Sequence, residues 1–287
     1  MNNIQKYLSL IKFSHTVFAL PFALIGYFLA IYKFDVAFNW SILVKILFCM
    51  VFARSAAMAF NRYIDHKFDA ANPRTAIREI PAGLISADAA LWFVMVNAFL
   101  FITTTWFINP LCFLLSPIAL LIILGYSFTK RFTPLCHLVL GVGLSLSPIG
   151  SFLAVTGKFE LLPVLFSMGV MFWVSGFDII YALQDEEFDR GQGLYSIPVW
   201  LGGKNALHLS EALHLACSLA LLSAGFVGEF GWIYWVGYSI FISLLIYQHS
   251  IVKTNDLSRV NLAFSTTNGW ASVVFGILSI SDLFFNL

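Results

Sequence analysis

The run Leu161-Leu162-Pro163-Val164-Leu165-Phe166-Ser167-Met168-Gly169-Val170-Met171-Phe172-Trp173-Val174-Ser175-Gly176-Phe177-Asp178-Ile179-Ile180-Tyr181-Ala182-Leu183 carries one charged side chain, Asp178. A bilayer core needs roughly 20 apolar residues in a helix, so the run reads as a membrane span. Gln184-Asp185-Glu186-Glu187-Phe188-Asp189 follows at once, and the chain therefore leaves the apolar phase on an acidic segment. Comparable runs recur at about 16–34, 40–60, 89–108, 110–126, 135–155, 206–226, 231–248 and 267–286. With 161–183 they predict an all-α integral membrane bundle of about nine transmembrane helices, in which Asn109-Pro110 is a tight hairpin. Composition agrees: of 287 residues 60% are hydrophobic and 11% charged, with mean hydropathy +0.85. Soluble domains carry about 25% charged residues.

Basic residues choose the direction of insertion. In the nine-span reading Lys6, Lys12, Arg62, Lys67, Arg74, Arg78, Lys130, Arg131, Arg190, Lys204, Lys253 and Arg259 fall on one side. Lys33 and Lys158 fall on the other, with Lys45 and Arg54 inside the second span. The amino terminus is predicted to be cytoplasmic, and the long loops, 61–88 and 184–205, lie on that side too. The net charge of +1 supplies no basic stripe for nucleic acid, and nothing in the sequence calls for an obligatory protein partner. Cys49, Cys112, Cys136 and Cys217 stand apart in apolar runs and read as packing residues. His66, His137, His208, His214 and His249 lack ligand spacing.

The loop after the second span opens with Asn61-Arg62-Tyr63-Ile64-Asp65-His66-Lys67-Phe68-Asp69. A four-residue step turns a helix by only about 40°, so Asn61, Asp65 and Asp69 share one face. Asp178, Asp185 and Asp189 are spaced to share a face as well. An offset of 120 residues separates Asp65 from Asp185 and Asp69 from Asp189, a candidate internal repeat that puts both acidic faces on the cytoplasmic side. Crowded carboxylates repel unless a cation joins them, and oxygen-only ligands favour Mg2+. Mg2+ commonly shares its coordination with substrate phosphates, which suits the neighbouring cations Lys67, Arg74 and Arg78 in the first loop and Lys130 with Arg131 in the next cytoplasmic one.

These residues resemble the UbiA superfamily of membrane prenyltransferases. Asn61-x-x-x-Asp65-x-x-x-Asp69 and Asp185-x-x-x-Asp189 match its two motifs. Arg74-Thr75-Ala76-Ile77-Arg78-Glu79-Ile80-Pro81-Ala82-Gly83 is similar to the stretch after the first motif, with Glu79 in place of a proline. Tyr126-Ser127-Phe128-Thr129-Lys130 and Ser196-Ile197-Pro198 extend the likeness. The resemblance implies one transmembrane domain over 1–287, with helices around a central cavity in a bacterial cytoplasmic membrane. It further implies that Asn61, Asp65, Asp69, Asp185 and Asp189 hold Mg2+, that Asp65, Asp69, Asp185 and Asp189 are catalytic, and that Lys67, Arg74, Arg78 and Lys130 bind the diphosphate.

Arg54, Tyr126, Ser127, Arg131 and Asp178 become candidates for the aromatic-acceptor pocket on the same grounds. A charge inside a span is costly and has a partner or a function; for Arg54 the partner is either an acceptor carboxylate or Asp178. The implied reaction is Mg-dependent transfer of a polyprenyl group from prenyl diphosphate, its tail in membrane lipid, to an aromatic acid in quinone biosynthesis. The acceptor is 4-hydroxybenzoate or a dihydroxynaphthoate, as in ubiquinone or menaquinone synthesis. Ser14-His15-Thr16-Val17-Phe18 resembles the naphthoate branch. The competing class is a membrane transporter with a cytoplasmic-side acidic cation site.

Overall fold

A computed structural model of the chain describes residues 3–11 and 18–285; Lys12 and the His15 segment lie outside the described residues. Its elements in order are α1 (Asn3–Leu10), α2 (Leu20–Lys33), α3 (Trp40–Ala71), α4 (Ala87–Trp106), α5 (Pro110–Thr129), α6 (Cys136–Thr156) and α7 (Leu161–Ala182). A 3-10 turn (Leu183–Asp185) then leads to α8 (Glu186–Gly191), α9 (Ile197–Leu201), α10 (Gly203–Val227) and α11 (Trp232–Ile251). A π-helical turn (Leu262–Thr267) opens α12 (Asn268–Phe285).

Among the described residues seven segments are long and apolar enough to cross a bilayer: Trp40–Ala71, Ala87–Trp106, Pro110–Thr129, Cys136–Thr156, Leu161–Gly191, Gly203–Val227 and Leu262–Phe285. The first and eighth expected runs fall on α2, with 14 residues, and on α11, whose last turns carry Gln248 and His249. The tight hairpin at Asn109-Pro110 opens slightly. Residues 107–109 separate the helices, and Asn109 caps α5 by accepting from the Cys112 amide at 2.8 Å.

Two expectations about the acidic segments change. The first motif is not in a loop, because α3 continues to Ala71 and its 32 residues span about 48 Å, more than a bilayer core. The four-residue spacing that aligns Asn61, Asp65 and Asp69 also suits an unbroken helix. The second motif is interrupted, since α7 tightens into the 3-10 turn, a common way for a helix to end. Asp178, Asp185 and Asp189 therefore lie on α7, on the turn and on α8 rather than on one helical face.

Packing is strongest between α6 and α7, α7 and α10, α3 and α4, α11 and α12, and α2 and α6. The centre of the bundle is α7, whose Trp173 is fully buried beside Phe22, Phe177 and Phe241. A chain of buried polar groups ties four helices here, as is common where lipid gives helices no hydrophobic reason to associate. Trp173 Nε1 donates to Asn268 Oδ1 at 2.8 Å, Asn268 Nδ2 donates to Gln248 Oε1 at 3.3 Å, and His214 Nδ1 meets His249 Nε2 at 2.7 Å. On the other flank α2 and α6 approach so closely that a Cβ built on Gly26 would lie 2.0 Å from the Pro148 carbonyl oxygen.

Candidate active site

The carboxyl-terminal ends of α3, α5 and α7 meet at one end of the bundle, where a cavity of about 590 Å3 is lined by Asn61, Asp65, Asp69, Asp185 and Asp189. Both acidic segments thus face one space. Helix carboxyl ends carry partial negative charge, which adds to the carboxylates and favours the cations that follow: Arg74 and Arg78 after α3, Lys130 at the cap of α5.

Each aspartate of the two motifs is joined to a cation from elsewhere in the chain. Arg131 Nη2 lies 2.8 Å from Asp65 Oδ1, Arg78 Nη1 2.6 Å from Asp69 Oδ1 and Lys130 Nζ 2.7 Å from Asp189 Oδ2. Arg74 grips Asp185 with two nitrogens, Nε at 3.0 Å from Oδ1 and Nη2 on Oδ2. Asn72 Nδ2 donates to Asp185 at 3.2 Å, and Asn61 Nδ2 donates to Asp65 at 3.0 Å. Burial opposes the charge on Lys130, but Asp189 and then Asp185 outweigh it and hold the ammonium above the usual lysine value. Arg74 is likewise opposed by burial and raised by Asp185 and Tyr181. Both remain cationic. Asp69 keeps one buried oxygen, Oδ2, without a hydrogen-bond partner.

Deeper in the cavity the lining changes to Arg54, Tyr126, Ser127, His137 and Asp178. A second, mainly apolar cavity of about 410 Å3 adjoins it and shares Arg54, Met58, Tyr126, Leu140 and Leu144 with it. Arg54 thus stands at the neck between a polar and an apolar chamber, with Nε buried and unbonded. No ion pair joins Arg54 to Asp178 among the described residues. Asp178 Oδ2 instead sits 2.7 Å from His137 Nδ1.

Two of the expected site residues, Lys67 and Arg131, are not among the residues that line the cavity. Lys67 is exposed and outside the cavity lining; it stands two residues from Asp65, and at 100° per residue that step carries a helical side chain to the opposite face. Arg131, expected in the acceptor pocket, sits against the first acidic motif. It holds Asp65, donates to the Ser127 and Ile64 carbonyls at 2.8 and 3.0 Å, and lies over the Phe68 and Phe128 rings. Glu79, the departure from the proline, is buried and accepts from Ser9 Oγ of α1.

Sequence reasoning missed Asn72, His137 and Tyr181. Tyr181 accepts from Arg74 Nη1 at 2.9 Å and offers its ring face to the same guanidinium at 5.2 Å. Its place four residues before Asp185 was a readable signal.

Residues 19–274 match the model of the UbiA prenyltransferase family. The chain belongs to that family. UbiA relatives include the 4-hydroxybenzoate octaprenyltransferase of Saccharophagus degradans, 32% identical over 84% of this chain and 80% of that one. The enzyme of the same name from Nitrosomonas europaea is 31% identical over 85% and 83%. An apo UbiA homologue from Aeropyrum pernix K1 superposes with a TM-score of 0.85 at 33% identity, covering 93% of this chain and 98% of that one. A UbiA homologue from Archaeoglobus fulgidus, solved bound to GPP and Mg2+, shares the fold at TM-score 0.71 and 20% identity, with 97% and 99% covered. This UbiA chain is a prenyl-transferring enzyme and a multi-pass membrane protein, and the transporter reading falls.

Proposed function

We propose that this UbiA-type enzyme transfers a polyprenyl group from prenyl diphosphate to 4-hydroxybenzoate, in a Mg-dependent step of quinone biosynthesis at the bacterial cytoplasmic membrane. The names of the curated relatives favour 4-hydroxybenzoate over a dihydroxynaphthoate. We place the amino terminus in the cytoplasm, with nine crossings that include α2 and α11, following the distribution of Lys and Arg. The observation that carries the reading is the juxtaposition of four cation-paired aspartates with an apolar chamber, joined at Arg54.

The donor set fits Mg2+. It is all oxygen, it comes from two segments facing one cavity, and Asp69 Oδ2 is buried with nothing to bind. Asn61, Asp65, Asp69, Asp185 and Asp189 would hold the ion, and when bound it neutralises charge developing on the leaving diphosphate.

The chain's own residues do the rest. Arg74, Arg78 and Lys130 give up their aspartates and turn to the diphosphate oxygens, while Arg131 stays beneath Asp65 and orients it. These cations stabilise the departing anion. The apolar chamber receives the prenyl chain and shields an electron-poor allylic carbon. Arg54 takes the acceptor carboxylate, which gives its buried nitrogen a partner and presents the ring at the neck.

The test uses purified protein in detergent with Mg2+, labelled prenyl diphosphate and a panel of phenolic acids. Prenylated 4-hydroxybenzoate is the expected product, and no prenylated aromatic acid from any member of the panel would refute the reading. In the same assay Arg54→Ala is expected to raise KM for the aromatic acid roughly 10- to 100-fold, the usual size of a lost charged hydrogen bond, with KM for the donor unchanged. An unchanged acceptor KM removes Arg54 from the acceptor site.

A further inference from the structure

Asp178 and His137 form a pair in the cavity wall that neither the metal nor the diphosphate uses. His137 lies on α6 and is 3% exposed. Its Nδ1 is 2.7 Å from Asp178 Oδ2 on α7, and its Nε2 accepts from the backbone amide of Ile197, at the start of α9, at 3.3 Å. Because Nε2 faces an N–H donor it must act as the acceptor, so Nδ1 carries the hydrogen and donates it to Asp178. The histidine is held from both ends, and it fixes the carboxylate in turn. Asp178 lines the cavity with a side chain 23% exposed, and Oδ1 has no partner among the described residues. An oriented carboxylate with one satisfied and one open oxygen is a hydrogen-bond acceptor waiting for a donor.

Arg54 precedes Asn61 by seven residues on α3, and Asp178 precedes Asp185 by seven on α7 and its following turn. Each is therefore about 10 Å along its helix from its own acidic motif. The two line the same cavity, with opposite charges and on different helices. An aromatic acid with a carboxylate at one end and a ring hydroxyl at the other matches that polarity.

We propose that Asp178, held in place by His137, accepts a hydrogen bond from the ring hydroxyl of the aromatic acceptor and so decides which aromatic acids bind productively. The inference rests on the aromatic-acid reading above. Asp178 touches the acceptor, whereas His137 is a positioning residue that acts through it. The hydrogen bond to a carboxylate holds the ring at a defined angle and enriches it in electrons, which selects phenolic acids over plain benzoates.

The test is a crossed binding experiment by calorimetry on purified protein in detergent, using 4-hydroxybenzoate together with benzoate, which lacks the hydroxyl, and phenol, which lacks the carboxylate. Wild type is expected to prefer 4-hydroxybenzoate to benzoate roughly 10- to 100-fold. Asp178→Ala should bring that ratio to within about threefold, with Asp178→Asn in between because a neutral acceptor makes the weaker bond. Benzoate binding itself should not change in either variant. Arg54→Ala should show the reverse pattern, weakening benzoate and sparing phenol. His137→Leu should lose most of the hydroxyl preference and His137→Asn, which keeps a donor near the Nδ1 position, should recover it; a merely structural histidine would give no such recovery. Binding of a non-hydrolysable prenyl diphosphate analogue with Mg2+ confirms that each variant is folded.

If Asp178→Ala keeps the wild-type ratio, or weakens donor and acceptor alike, the proposal is overturned while the aromatic-acid reading stands. If wild type binds and prenylates no aromatic acid, both fall together.

Discussion

Replacing Asp65 or Asp185 by alanine is expected to lower kcat by a factor on the order of 10^3, the scale on which removal of one oriented charge-stabilising group acts in a water-excluded site. The two residues come from segments far apart in the chain, yet both face one cavity. Each variant strands a cation, Arg131 for Asp65 and Arg74 for Asp185, so the site loses a ligand and gains an unbalanced positive charge. Lys67→Ala is the matched control. It alters a charge two residues from Asp65 on the same helix but outside the cavity, and should leave kcat within about twofold, as surface changes usually do. Steady-state assays with Mg2+ and labelled donor decide the matter. Near-normal turnover in Asp65→Ala would mean that the aspartates are only an interfacial feature of the helix end, and a large loss in Lys67→Ala would return that lysine to the site.

The second large effect concerns the scaffold. Gly26→Val should lower stability by about 3 kcal/mol or more, at the upper end of the cost of overpacking. The added Cβ would lie 2.0 Å from the Pro148 carbonyl oxygen and 2.8 Å from its carbonyl carbon, and both are backbone atoms that cannot rotate away. Relief requires α2 and α6 to part, and α6 carries His137 and one wall of the apolar chamber. Gly125→Ala on α5 is the contrast, because its Cβ would meet nothing within 4 Å and alanine favours the helix. Thermal unfolding in detergent should show a fall of several degrees for the first and none for the second. Equal midpoints for the two variants would show that the α2–α6 approach is not tight in solution.

Periodicity made much of this molecule readable in advance. The four-residue step of Asn61, Asp65 and Asp69 is a local property of one helix, and it predicted their common face even where the extent of α3 was underestimated. The apolar run of α7 was equally plain. What spacing could not reveal is which helices face each other. Arg131 pairs with Asp65 and His137 with Asp178 through tertiary packing between separate elements, so no motif joins them. Lys67 lies outside the cavity lining for the opposite reason: nearness in sequence is not nearness in space on an element that turns 100° per residue. The 3-10 turn at Leu183–Asp185 also left no mark in the residue types, since Leu-Gln-Asp would serve an α-helix as well.

Pairing of every motif aspartate with a cation has a consequence for how substrates arrive. Opposite charges a few ångströms apart cancel at distances beyond about a Debye length, so the mouth projects little field of its own and cannot draw a dissolved anion in from the bulk as a one-signed funnel would. A long isoprenoid dissolved in the bilayer needs no such pull. Its capture is governed by how it partitions into and moves through the membrane, and the rate of encounter should be nearly indifferent to ionic strength.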